Sequence, residues 1–136
     1  MENQILRSLL TIRTRLSFYR NTLTIDENLN VNAKELEIIS NRLNLNKEEA
    51  LIVAGSFIVT TTKNRGFSFS ELSSCLEIEV IELLCYVDLI KNLIEKGFLL
   101  EVSKENNKSY RNYAYGIEIL NIEFGISDDL GKKIVN

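Results

Sequence analysis

Histidine is absent from this 136-residue chain, and with it the side chain that most often moves protons in catalysis near neutral pH. No nucleophile elbow, no GxxxxGK[ST] phosphate loop and no cluster of metal ligands can be drawn. Acyl transfer through a nucleophile elbow and nucleotide binding through a phosphate loop therefore lack their motifs. Cysteine is scarce: Cys75 and Cys85 are the two thiols, and without a histidine or a third cysteine they fall short of a zinc signature. Both lie in apolar helical patterns and are expected to be reduced core or near-surface thiols. Long hydrophobic runs are also missing. Arg7, Arg13, Arg15 and Arg20 interrupt the apolar N-terminus, so neither a signal-peptide core nor an apolar span of roughly 18 residues can be placed. A cytoplasmic protein without membrane contact is the expectation. Positive charge is not in excess, with 16 Lys and Arg against 19 Asp and Glu and a net charge of -3. No global field draws nucleic acid, although an acidic protein can carry a local basic patch.

What is present is an ordinary globular balance, 45% hydrophobic and 26% charged residues, in a chain long enough to bury a core without disulfides or metals. From about Gln4 to Leu23, the residues Ile5, Leu9, Ile12, Leu16, Tyr19 and Leu23 recur at spacings of 4, 3, 4, 3 and 4. They predict one helix with one apolar stripe. Such a stripe serves either as the seam of a homodimer or as a face packed on the chain's own domain. The Asn-rich stretch Asp26 to Asn32 is expected to be a loop. A short helix follows over Ala33 to Leu43, with Leu36, Ile39 and Leu43 inward.

Asn46 and Glu49 form an Asn-x-x-Glu capping signal that starts a helix running toward Lys63. The β-branched run Ile58-Val59-Thr60-Thr61-Thr62 weakens its end. Asn64-Arg65-Gly66 turns the chain, Phe67 makes a very short strand, and Ser68 with Glu71 caps a second helix through Leu72 to Leu76. Glu77 to Lys96 is predicted as one continuous helix whose stripe, Leu83, Val87, Ile90 and Ile94, packs against Leu51, Ile58 and Leu72, with Gly97 as its stop. The period turns Ile81, Cys85, Asp88, Asn92, Glu95 and Lys96 outward. Phe98 to Val102 and Tyr110 to Ile117, joined by a polar turn over Ser103 to Ser109, predict a β-hairpin. Ser127-Asp128-Asp129-Leu130 begins a further helix, expected to remain a truncated start or tail before Asn136. The fold class is therefore mostly α with a small β-hairpin (α+β). The expected division is a helical appendage over 1–45, a main domain over 46–126 and a tail over 127–136.

The order helix, short strand, helix, helix, hairpin from Asn46 to Ile119 resembles a winged-helix domain, a helix-turn-helix with a β-wing. The likeness is carried by Phe67-Ser68-Phe69-Ser70-Glu71-Leu72-Ser73-Ser74-Cys75-Leu76-Glu77-Ile78 and by Leu93-Ile94-Glu95-Lys96-Gly97-Phe98-Leu99. Many such domains have glycine in the turn where this chain has Glu77. Asn46-Lys47-Glu48-Glu49-Ala50-Leu51-Ile52-Val53-Ala54 is also similar to the helix in the N-terminal helical and winged-helix region of some bacterial AAA ATPases. That resemblance covers residues 1 to 126 and implies an accessory domain beside an ATPase module.

Three functional classes follow. An enzyme is disfavoured, since no catalytic motif is present and Glu77 and Glu79 point to different faces of a helix. A DNA-binding regulator follows from the resemblance by analogy, with Lys104, Lys108, Tyr110 and Arg111 of the wing as phosphate and base contacts. Glu101 to Arg111 carries three bases against two acids, a surplus that fits a plain solvated hairpin as well. Glu77 to Lys96 carries five acids (Glu77, Glu79, Glu82, Asp88, Glu95) and two bases (Lys91, Lys96), a net of -3 where a groove-reading helix would meet phosphate. The preferred expectation is a non-catalytic module, without cofactor or metal, that contacts a protein partner through Ile81, Cys85, Asp88, Asn92 and Glu95.

Overall fold

The computed structural model describes residues 3–20, 22–102 and 117–136. It contains α1 (Gln4–Leu16), α2 (Ile25–Val31), α3 (Ala33–Leu43), α4 (Lys47–Lys63), β1 (Phe67–Ser68), α5 (Phe69–Cys75), α6 (Val80–Leu84), α7 (Val87–Glu95), β2 (Leu99–Glu101), a 3-10 turn over Ile117–Asn121, β3 (Glu123–Ile126) and α8 (Asp128–Val135). The class is α+β: a mostly helical chain with one three-stranded antiparallel sheet in the order β1-β3-β2. None of the described helices is long and apolar enough to cross a membrane.

The capping signals act as their chemistry requires. Asn46 Oδ1 accepts from the Glu49 amide at 2.7 Å while Glu49 Oε1 accepts from the Asn46 amide at 3.1 Å. Ser68 and Glu71 repeat the exchange at 3.0 and 2.9 Å, and each pair satisfies two otherwise orphaned amides. α4 is buried nearly all round from Glu49 to Ser56, which makes it the axle on which α3, α5, α7 and β3 pack.

α1 ends at Leu16, seven residues before the end its periodicity predicts. The reason is tertiary: Leu23 leaves the helix to form a parallel bridge with Ile78, its amide donating to the Glu77 carbonyl at 3.1 Å. Ile5, Leu9, Ile12, Leu16 and Leu23 are each at most 8% exposed, and Tyr19 is half-buried. Of the two expected uses of this stripe, the chain makes the intramolecular one, chiefly against α3. These side chains form core and offer no surface seam. Leu9→Glu should accordingly lower the unfolding midpoint sharply, because a carboxylate would be buried without a partner. Light scattering that instead showed a dimer dissociating, with the monomer's melting temperature unchanged, would restore the seam.

Asp26 to Asn32, expected as a loop, is mostly helix. Thr24 and Glu27 make a third capping box, at 3.1 and 2.8 Å. The region of Glu77 to Lys96, expected as one helix, is two. Cys85 and Tyr86 close i to i-3 bonds onto Glu82 and Leu83 at 3.1 and 2.9 Å, and α7 restarts at Val87. Among the described residues, the strand that pairs with β2 comes later in the chain. β2 pairs with β3, Leu99 opposite Ile126 and Glu101 opposite Phe124, whereas Ile117 belongs to the 3-10 turn and residues 103–116 lie outside the described part. Phe124 pairs with Phe67 across β1, ring centres 6.1 Å apart.

α8 packs into the fold. Ser127 caps it, Leu130 and Ile134 are buried, and Asn3 Nδ2 donates to the Ile134 carbonyl at 2.8 Å, tying the last helix to the first. Buried residues from 1–45, 46–126 and 127–136 belong to one hydrophobic core.

Candidate functional site

The face singled out by periodicity is exposed. Ile81, Cys85, Asp88, Asn92, Glu95 and Lys96 are all solvent-facing, with Ile81 72% exposed. The inner stripe is shifted by the break at Cys85 and Tyr86: Leu83, Ile90 and Leu93 are fully buried, while Val87 and Ile94 are half-buried at its flanks. Gly97, with φ of 81°, closes α7 in a Schellman turn, the Phe98 amide donating to the Leu93 carbonyl at 2.9 Å.

The turn that sets this face is built around Glu77. It adopts φ of 59°, the left-handed region that a side chain rarely occupies and that glycine takes at no steric cost. Schellman bonds, Ile78 to Ser73 at 3.2 Å and Glu77 to Ser74 at 3.1 Å, satisfy the end of α5, and Ser73 Oγ donates to the Ile78 carbonyl at 2.6 Å. The N-terminal segment then holds the turn from the other side. Asn28 Nδ2 donates to the Leu76 carbonyl at 2.6 Å in full burial, and the Ile25 amide donates to Glu82 Oε2 at 2.9 Å.

Asn28 is in turn fixed by Asn32, whose Nδ2 donates to Asn28 Oδ1 at 2.7 Å. Arg15 Nη1 donates to Asn32 Oδ1 at 2.9 Å and to Glu35 Oε1 at 2.7 Å, with Nη2 on Glu35 Oε2 at 3.2 Å. The bidentate guanidinium contact holds the Glu35 carboxyl below its ordinary range. Sequence reasoning missed this chain from α1 to the turn. Thr24-x-x-Glu27 was the available signal for α2, but no local pattern marks Asn28 and Asn32 as buried.

Charge on the outer face is acidic. Lys96 Nζ is engaged by Glu49 at 3.0 Å, while Asp88 and Glu95 have no ion pair among the described residues. Burial, and then the nearby Asp26, Glu82 and Glu48 carboxylates, hold the Tyr86 phenol above its usual value. Both thiols are free; Cys85 is exposed, and burial followed by Glu77 pushes Cys75 up to about 11. A thiol held protonated at neutral pH is a poor nucleophile. Among the described residues no group of three His, Cys, Asp or Glu side chains is placed to hold a metal. Lys104, Lys108, Tyr110 and Arg111 lie outside the described residues.

No protein-family model, curated protein or solved structure matches this chain.

Proposed function

We propose that the chain is a non-catalytic winged-helix interaction module that contacts a protein partner through the outer face of α6 and α7. The observation that carries the reading is Ile81, an isoleucine 72% exposed on α6, followed on α7 by the exposed acids Asp88 and Glu95, which are unpaired among the described residues. A protein partner can cover an apolar anchor rimmed by charge, whereas a phosphate backbone would meet repulsion there. The winged-helix part of the proposal is supported by the order α4, β1, α5, α6, α7, β2, β3 together with the strand order β1-β3-β2. The left-handed Glu77 supports it too, since it occupies the place where many such domains use glycine. The proposed setting, from the likeness of Asn46 to Ala54, is a cytoplasmic accessory domain of a bacterial AAA ATPase.

A DNA-reading role makes a different prediction. Titration against a randomised duplex pool near physiological salt should enrich no site, leaving only weak binding that salt abolishes. Enrichment of a defined sequence, lost on Asn92→Ala or Cys85→Ser, would replace the protein-contact reading with that of a DNA-binding regulator.

A further inference from the structure

The exposed side of α1, opposite its buried stripe, carries charge of one sign. Gln4–Leu16 holds Arg7, Arg13 and Arg15 and no acid. Arg15 is paired with Glu35, while Arg7 and Arg13 are exposed and straddle Leu10, itself 46% exposed. Just past the helix, Phe18 is 81% exposed, the most of any large apolar side chain among the described residues. The helices packed against α1 are α3, α4 and α8. Each holds two acids and two bases, so they leave the surplus of α1 uncancelled.

The α6–α7 face has the same make-up with the opposite sign. Ile81 is exposed on α6, and Asp88 and Glu95 are exposed on α7. The elements packed on α7 bring no positive surplus, since α4 is balanced and β2 adds the acid Glu101. Lys96, the base at the end of this face, is taken up by Glu49. The spacing of the charges also corresponds. At about 1.5 Å of rise per residue, Arg7 and Arg13 are separated along their helix by about 9 Å, and Asp88 and Glu95 by about 10 Å. Laid antiparallel, α1 and α7 bring Arg7 to Glu95 and Arg13 to Asp88, with Phe18 toward Ile81.

We propose that the protein covering the α6–α7 face is a second copy of this chain, presenting the exposed side of its α1. This inference rests on the protein-contact reading of that face and names its partner. The contact is heterologous, each copy giving one face and receiving the other. The ion pairs fix its register, and Phe18 with Ile81 supplies an apolar anchor that excludes water.

The test is a charge swap followed by sedimentation velocity of the whole chain. Arg7→Glu with Arg13→Glu makes both faces acidic, and Asp88→Arg with Glu95→Arg makes both basic. All four residues are exposed, so the fold is expected to survive. The unsubstituted chain should sediment faster as its concentration rises from micromolar toward millimolar, and added salt should reverse the effect. Each double variant alone should associate at least about tenfold more weakly, because like charges then face each other. Mixing the two variants should restore association, since each meets a face of opposite charge. Phe18→Ser and Ile81→Ser, which change no charge, should each weaken it as well. A chain that stays monomeric, folded variants that regain nothing on mixing, or indifference to both serine substitutions would overturn the self-contact. Photo-crosslinking from position 81 in cells separates this claim from the broader one. An adduct with another protein alone removes the second copy as partner and leaves the protein contact standing, whereas an adduct with nucleic acid alone removes both.

Discussion

Leu83→Ala is expected to destabilise the chain by about 2 to 5 kcal/mol, the usual cost of emptying a fully buried leucine site. Leu83 has no exposure at all, and it is the sole buried residue of the five-residue α6. A helix that short is held in place by packing, since its own hydrogen bonds cannot offset the entropy of forming it. Removing its one fully buried side chain should loosen the outer face as well as the core. Chemical denaturation should therefore show a midpoint far below that of Asn92→Ala, an exposed control on α7. Equal midpoints would mean that α6 turns a different side inward.

Gly55→Ala should also destabilise, by about 1 to 3 kcal/mol, although alanine is the better helix former by roughly 1 kcal/mol. A Cβ at Gly55 would lie 2.8 Å from Leu76 Cγ and Cδ2 and 2.9 Å from Leu72 Cδ1. Leu76 cannot easily retreat, because it is fully buried and its carbonyl is held by Asn28. Gly131 supplies the contrast. It too is helical, in α8, and a Cβ there would meet nothing within 4 Å, so Gly131→Ala should stabilise by about 0.4 to 1 kcal/mol. The same chemical change is thus expected to act with opposite sign at the two positions. Thermal melts in which both shift the midpoint the same way would contradict the close approach of α5 to α4.

What the sequence disclosed was local. The capping pairs Asn46 with Glu49 and Ser68 with Glu71, and the stop at Gly97, involve groups within a few residues of one another, so a linear pattern contains the whole interaction. The outer face of α6 and α7 was legible for the same reason, since helical period alone decides which residues oppose a buried stripe. Errors arose where distant residues decide. Leu23 abandons α1 for Ile78. Asn28 and Asn32 are polar in the sequence but buried in the fold, because Leu76 and Arg15 supply their partners. Asn3, 131 positions away, binds the last described turn of α8.

The break between α6 and α7 is the most instructive of these. Leu83 and Ile90 keep their places across it, but the third buried position is Leu93, with Ile94 at the flank. An uninterrupted helical period cannot register the extra turn at Cys85 and Tyr86. The outward residues survive the shift because each lies well away from the stripe's edge.

The central claim, that this outward face meets a protein, is tested most directly by a photo-reactive amino acid placed at position 81 in cells. Ile81 is exposed enough to accept it without disturbing the core. The account predicts a discrete protein adduct at position 81 that competes with the unlabelled chain, disappears on Asp88→Arg with Glu95→Arg, and is absent when the probe sits at exposed Asn41 on α3. An adduct to nucleic acid at position 81, or protein adducts of equal yield at positions 81 and 41, would contradict it.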